Sequence, residues 1–233
     1  MTVDYVIVVG AVAAGAIGWR ALMGQLERRS RADWGRRWLN RLDGFNRLFC
    51  RHFHGLQFES PALPSTGPAI VVSNHLSGLD PLIMSAASPR PLRFMIAAEE
   101  YDRWWLRWFF RAIGCIPVER RGRPQLALAA AKRALEAGEV VALFPHGRIV
   151  RDGDTPPPLK RGVLHLAEST GASIVPMRLQ GVRAQGWTVL AVIVPSRVRV
   201  TSFPPLRYEG HSGDALLAQL GALLVGHPLP SEG

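Results

Sequence analysis

Short apolar runs and helical stripes divide this chain into an alternating series of strands and helices. Residues 69–72, Ala-Ile-Val-Val, follow Gly67-Pro68 and are apolar and β-branched, which predicts a buried strand. It stops at Ser73-Asn74, with His75 at its C-terminal end. From residue 79 to 87 the period becomes helical, with Asp80 and Pro81 placed as for a helix start. Residues 92–97 predict a strand, 99–112 a helix, 114–120 an extended piece and 124–137 an Ala-rich helix stopped by Gly138. A buried strand over 140–144 ends at Pro145. A helix over 160–170, a strand over 173–177, strands over 188–194 and 197–203 and a helix over 215–225 complete the pattern. Pro195-Ser196 predicts a hairpin or tight corner between those last two strands. The fold class expected is α/β, a single domain with a mostly buried mixed or parallel sheet flanked by helices.

The first 55 residues read differently and are expected to form a separate N-terminal arm, with residues 56–233 as the folded domain. Residues 5–19 carry no charge, bracketed by Asp4 and Arg20. That run is shorter than the roughly 20 residues needed to cross a bilayer, although residues 3–26 together have the length. No Lys or Arg precedes it, unlike a cleaved signal peptide. A second pattern follows: Trp34, Trp38, Leu42, Phe45, Phe49 and Phe53 recur at helical spacing along one face. Arg36, Arg37, Arg41, Arg47 and Arg51 fall largely elsewhere around the same helix. An aromatic stripe beside Arg suits a helix lying in an anionic membrane interface, and it suits packing on a domain core as well. The crowded Trp104, Trp105, Trp108, Phe109 and Phe110 leave the same two readings open, a lipid-facing or groove-lining surface and a helix buried on several sides.

Composition sharpens this picture at two points. The formal charge is +10, and residues 20–51 hold nine Arg against Glu27, Asp33 and Asp43, more than half of that excess. The charge therefore gathers beside the apolar arm, and a positive-inside argument puts the remainder of the chain in the cytoplasm. No base-reading motif accompanies it, so no nucleic acid is expected as a partner despite the high pI. Cys50 and Cys115 provide no disulfide framework, which fits a reducing compartment. Cys50, His52 and His54 lie close in sequence but lack a fourth ligand, and a structural role is expected for them, with no metal.

The chemistry centres on His75 and Asp80. Five residues advance a continuous helix by roughly 500°, leaving two side chains about 140° apart, so on one helix they could not meet. A turn through Ser77-Gly78 would let Asp80, on the first helical turn, fold back toward the imidazole. The carboxylate would then fix one ring nitrogen and leave the other as a base. Taken alone, such a pair fits the capping of a strand end and a helix start better than it fits catalysis. A second strand-end turn changes the balance. In Pro145-His146-Gly147-Arg148, Gly147 permits a positive φ or a close backbone approach, and Arg148 supplies the bidentate geometry that phosphate favours.

Four blocks now stand in order: Asn74-His75 with Asp80, Gly114 through Ile116-Pro117-Val118 to Arg120, Phe144-Pro145-His146-Gly147-Arg148, and Val175-Pro176-Met177. Together they resemble the glycerolipid acyltransferases of the 1-acylglycerol-3-phosphate acyltransferase (PlsC-like) family, over about residues 69–177. The basic, apolar N-terminus is similar to that family's membrane-embedded helices. The resemblance implies transfer of a fatty acyl group from acyl-CoA or acyl-carrier protein to the hydroxyl of a lysophospholipid, 1-acylglycerol-3-phosphate above all. It implies His75 as general base oriented by Asp80, with Asn74, Arg120, His146, Gly147 and Arg148 on the substrate. Arg120 matches the family's second-block arginine, which is implicated in holding the acceptor phosphate, and Lys160 joins the same cationic set. The implied partners are an acyl thioester donor, a lysophospholipid acceptor and anionic membrane lipids, with no cofactor beyond the donor. The implied location is the cytoplasmic face of the cell membrane.

The third block departs from the family's Phe-Pro-Glu-Gly-Thr-Arg. His146 stands at the Glu, Ile149 at the Arg, and Arg148 comes one residue early. An imidazole cannot pair with Arg as a carboxylate does, so the change bears on the acceptor more than on acyl transfer. Three further readings stay open at this point: a different lysolipid, hydroxy-lipid or amine-lipid acceptor, a non-catalytic membrane scaffold, and a hydrolase that admits water. Ser73 and Ser77 lack the nucleophile-elbow pattern that a serine hydrolase would need.

Overall fold

The computed structural model describes residues 2–119, 122, 124–208, 210 and 212–226, with the backbone alone for residues 2–12. The chain opens with α1 (Thr2–Arg29), α2 (Arg37–His52) and β1 (Gln57–Phe58). Next come β2 (Ala69–Ser73), α3 (Asp80–Ala87), β3 (Leu92–Ala97), α4 (Ala98–Tyr101), α5 (Arg107–Ala112) and β4 (Ile116–Val118). Then follow α6 (Pro124–Glu136), β5 (Val140–Leu143), α7 (Gly162–Thr170) and β6 (Ser173–Gln180). The last elements are α8 (Leu190–Ile193), β7 (Arg199–Ser202) and α9 (Gly213–Val225). The strands form one sheet in the order β1-β7-β6-β2-β5-β3-β4. It is parallel from β6 to β4, while β7 opposes β6 and β1 runs with β7. This is the mixed, helix-flanked α/β sheet expected.

Strand alternation divides the core in two. Ala69 and Val71 of β2 face one layer with Val140, Ala142, Val175 and Met177 of its neighbours, while Ile70 and Val72 face the other with Val141, Leu143 and Ile174. All five residues of β2 are buried, so this strand is central on both faces. On the second layer the fourfold spacing of Ala127, Ala131 and Leu135 seats α6, and that of Leu216, Leu220 and Leu224 seats α9. The first layer is covered by α2 and α3, the aromatic segment around α4 and α5, and α8.

The sheet order creates a crevice at one place. From β2 the chain crosses by α3 to β3, beyond β5, and from β5 it crosses by α7 to β6, on the far side of β2. Two adjacent parallel strands thus send their crossovers in opposite directions. Ligands gather at the carboxyl ends of such a pair. Those ends are Ser73-Asn74-His75 and Phe144-Pro145-His146.

Helix α2 is inverted relative to a simple core-packing helix. Its buried side holds Leu39, Asp43, Gly44, Arg47 and Cys50, whereas Trp38, Leu42, Phe45 and Phe53 are exposed. Asp43 and Arg47 survive burial because they pair at 2.6 Å and because Arg47 donates to the carbonyls of Ala86 and Ser88, 2.6 and 2.7 Å away, at the end of α3. Asn46 adds a bond to the Leu82 carbonyl. Cys50 lies in the same core cluster as Val71 and Met177, so the inner face of the arm and the sheet share one core. Among the described residues no helix is long and apolar enough to cross a membrane, and the side chains of residues 3–12, part of the 3–26 stretch read from the sequence, lie outside the described set.

Three expectations are corrected. The single helix over 99–112 is broken into α4 and α5 by turns around residues 102–106, closed by Leu106 N–H donating to Arg103 O. The break turns Trp104 and Trp105 outward, where one helix would have spread its aromatics around its circumference. Residues 188–194 form no strand. The β6 edge they would have paired is taken by β7, and the segment closes locally as α8, so the predicted hairpin does not exist. Strand β1, two residues long and paired with β7, is too short to leave an alternation signal.

Candidate active site

The turn after β2 is built around one carboxylate. Asp80 is fully buried, and its Oδ2 accepts hydrogen bonds from Leu76 N–H at 2.6 Å, Ser77 N–H at 2.9 Å and His75 Nδ1–H at 2.8 Å. Its Oδ1 accepts from the Ser77 hydroxyl at 3.1 Å, and that hydroxyl accepts in turn from Leu79 N–H. Asp80 thus binds the Ser77 main chain while the Ser77 hydroxyl takes Leu79 N–H in place of Asp80 N–H, so the turn before α3 carries only half of a capping box. The turn brings His75 and Asp80 together as the sequence geometry required. With Nδ1 carrying the proton, Nε2 keeps its lone pair and has no hydrogen-bond partner among the described residues. The imidazole lies flat on Phe144, with ring centroids 4.0 Å apart and planes 11° from parallel. Its side chain remains 18% exposed, so a ligand can reach it.

Asn74 has a different place from the one expected. Its amide nitrogen donates to Leu179 O at 2.9 Å and its oxygen accepts from Leu179 N–H at 2.8 Å, with a further bond from the Ser73 hydroxyl. Both ends of the amide therefore extend the β2–β6 ladder beyond its last backbone pair, Ser73 with Met177. These bonds fill the amide oxygen and use one of the two amide N–H groups, so Asn74 holds the strand end and keeps a single N–H donor uncommitted.

The turn after β5 runs alongside. Gly147 N–H donates to Phe144 O and Lys160 N–H to Pro145 O. Val150 N–H reaches across to His75 O at 2.7 Å, tying the two turns together. Gly147 has φ +72°, and a Cβ there would lie 2.5 Å from Lys160 Nζ, so only glycine lets the lysine stem cross the turn so closely. Arg148 is exposed and takes part in no ion pair among the described residues. Arg120 lies outside the described residues.

His146 is 5% exposed, and its Nδ1 is buried without a partner. Burial first, then the charges of Arg148 and His75, push its pKa below the ordinary histidine value, so near neutral pH it is an uncharged imidazole. It also lines a cavity of about 500 Å³ between the Pro156-Pro157-Pro158 segment and α9. Two contributors were not foreseen in the sequence, the Phe144 ring under His75 and the Ser77 hydroxyl. Ser77 was legible, since Ser-x-x-Asp before an apolar run is a capping signature. Phe144 had no signal of its own. Together these groups can orient and deprotonate a hydroxyl at Nε2, and the adjoining turn carries Arg148 and the Lys160 amine at Gly147, charges suited to an anionic group.

The family model described as acyltransferase matches residues 55–180. The chain is 26% identical over 125 residues to the 1-acyl-sn-glycerol-3-phosphate acyltransferase of Bacillus subtilis, covering 53% of this chain and 61% of that one. It is 29% identical over 122 residues to the enzyme of the same name from Borreliella burgdorferi, covering 52% of this chain and 48% of the relative. The chain thus spans about half to three-fifths of the length of these relatives. Among solved structures, the 1-acyl-sn-glycerophosphate (LPA) acyltransferase PlsC of Thermotoga maritima superposes with a TM-score of 0.67 at 22% identity, over 82% of this chain and 78% of that one. At that identity the likeness establishes a shared fold.

Proposed function

The chain belongs to the acyltransferase family, and on that premise we propose that it transfers a fatty acyl group from acyl-CoA or acyl-carrier protein to the hydroxyl of a lysophospholipid, with 1-acylglycerol-3-phosphate as the leading acceptor. The observation that carries this reading is the His75–Asp80 pair at 2.8 Å, with no partner on Nε2 among the described residues, on a turn that Val150 N–H ties to the turn carrying Gly147 and Arg148. Nε2 takes the proton of the acceptor hydroxyl as its oxygen attacks the thioester carbonyl. Asp80 steadies the imidazolium that forms, the carbon–sulfur bond breaks, and the proton passes to the departing thiolate. A thioester is already activated, so a positioned base worth about 10²–10⁴-fold and an oriented acceptor are sufficient machinery. Arg148 and Lys160 hold the acceptor's phosphate. Arg120 joins them by family resemblance.

Residues 1–55 anchor the protein to the cytoplasmic membrane face in this reading. The support is the outward aromatic side of α2, Trp38 meeting Trp108 at 6.1 Å, and the excess of Arg around it. An arm lying in the interface fits this surface. The test is free-thiol release by the full chain in detergent, with acyl-CoA and acyl-carrier protein as donors and a panel of lysophospholipids. The expected result is release that depends on a lysolipid and is strongest with a phosphomonoester headgroup. Release without any acceptor would make the protein a hydrolase, and an untouched thioester across the panel would make it a scaffold.

A further inference from the structure

Among the described residues, the large apolar side chains that stand exposed are not scattered over the surface. All but Leu126 on α6 and Val225 on α9 belong to the N-terminal helices, to the α4–α5 segment or to residues 187–193. Those last residues are far from the arm in sequence and come from the part of the chain expected to be a strand. Trp187, Val189 and Ile193 are 61%, 61% and 62% exposed, and Leu190 is exposed with them. A turn that leaves four large apolar side chains in water is costly unless another apolar phase covers them.

Three observations say what covers them. First, the segment is continuous with the aromatic side of α2. His54, just past α2, donates Nε2–H to Val192 O at 3.1 Å and meets the rings of Phe49 and Phe53 edge-on, both at 5.0 Å. Second, residues 181–199 contain Arg183, Arg197 and Arg199 and no acidic residue, a charge suited to anionic headgroups. All three arginines are exposed. Third, the segment is held rigidly against the catalytic turn. Gly78 N–H donates to Trp187 O, Gly186 N–H donates to Leu76 O, and a Cβ on Gly78 would lie 2.5 Å from Thr188 O.

We propose that residues 187–193 form a second lipid-contacting element, which seats in the anionic membrane interface beside the turn carrying His75. This rests on the membrane-anchored reading of the arm and extends it to a part of the chain that the arm does not include. With contacts on both sides of it, the first layer lies on the bilayer as a plane, and the His75 turn meets the interface where lysolipid and acyl chains reside. Interfacial helices bind through buried apolar area together with attraction to anionic lipid, and the segment supplies both.

Single cysteines carrying an environment-sensitive nitrobenzoxadiazole probe test this in the full chain. Native Cys50 and Cys115 are buried, with thiols pushed up to about 12 by burial, so an introduced surface cysteine labels selectively near neutral pH. The variants are Ile193→Cys, Val189→Cys as a second site on the segment, Phe45→Cys on α2, and Leu126→Cys as an exposed apolar control on the opposite layer. On phosphatidylglycerol vesicles the probes at 193, 189 and 45 should blue-shift, brighten roughly two-fold and be quenched by brominated lipid, as expected for groups in the headgroup–acyl boundary. The probe at 126 should stay in water, and phosphatidylcholine vesicles should give a weaker response throughout. Insertion at 45 with both 193 and 189 in water would overturn this inference and leave the anchor. Probes in water at 45, 189 and 193 alike would overturn the anchor reading as well. Insertion at 126 equal to that at 193 would overturn the assignment of a single lipid-facing layer.

Discussion

Asp80 Oδ2 holds the His75 imidazole and the backbone of its turn at once, accepting from Nδ1–H, Leu76 N–H and Ser77 N–H within 2.6–2.9 Å. The oxygen that sets the ring's tautomer therefore also shapes the turn that presents the ring. The geometry of the candidate base and local stability share one buried atom.

Separating the two calls for a pair of variants. His75→Ala removes a partly exposed ring and should lower turnover about 10²–10⁴-fold while unfolding stays close to wild type. Asp80→Asn turns an amide toward backbone donors and should lower turnover and also cost about 1–3 kcal/mol of stability. Thiol-release kinetics and urea unfolding measure both, and near wild-type turnover in His75→Ala would remove the base assignment.

Asn74→Ala should behave as a structural change. It leaves the N–H and C=O of Leu179 without partners at the end of the central ladder. Denaturant unfolding should reveal a loss of about 1–3 kcal/mol. A higher acceptor KM with unchanged stability would return Asn74 to the substrate.

Arg148→Ala should raise the acceptor KM with little effect on kcat, because a charge-assisted hydrogen bond worth about 1.5–3 kcal/mol corresponds to roughly 10–150-fold in binding. Gly147→Ala should raise the same KM by displacing Lys160, and its positive φ should add about 1–2 kcal/mol of strain. Steady-state kinetics on a phosphate-bearing lysolipid distinguish both from a change in chemistry, and an unchanged KM in Arg148→Ala would remove that arginine from the acceptor site.

Acid should destabilise the fold through two histidines. Burial is the leading cause that lowers the pKa of His146 and of His54, with Arg148 and His75 adding to it at His146 and the bond to Val192 O opposing it at His54. The unfolded chain then binds more protons than the folded one as pH falls below the ordinary histidine value of about 6.5. Stability present above that value should decline as pH falls through it toward the lowered folded values. Thermal melts between about pH 7.5 and 5 measure this, and the double variant His54→Gln, His146→Gln should flatten the slope.

Phe45→Ser and Trp38→Ser should weaken sedimentation with anionic vesicles while leaving the melting temperature close to wild type. Both side chains are exposed, and the core-facing residues of α2 lie on its other side. Added salt should weaken binding further by screening the Arg contribution. Unchanged sedimentation in the pair would place the membrane contact elsewhere.

Much of this protein is legible in its sequence. The central strand, the helix beginning at Asp80, the turn between them and the glycine turn after β5 follow from local chemistry, because hydrophobic period, capping residues and glycine conformational freedom act over a few neighbouring positions. The pairing of His75 with Asp80 is legible for the same reason, since a short turn determines it. What only the tertiary structure decided acts between distant segments. Residues 188–194 carry strand-like residues, yet they form α8 because β7 occupies the edge they would have joined. Asn74 looks like a ligand group until Leu179, more than a hundred residues later, takes both ends of its amide. The aromatic period of α2 marks a stripe without saying which way it faces. That direction comes from Arg47 and Asp43, whose ion pair and bonds to the end of α3 commit the opposite side of the helix to the core.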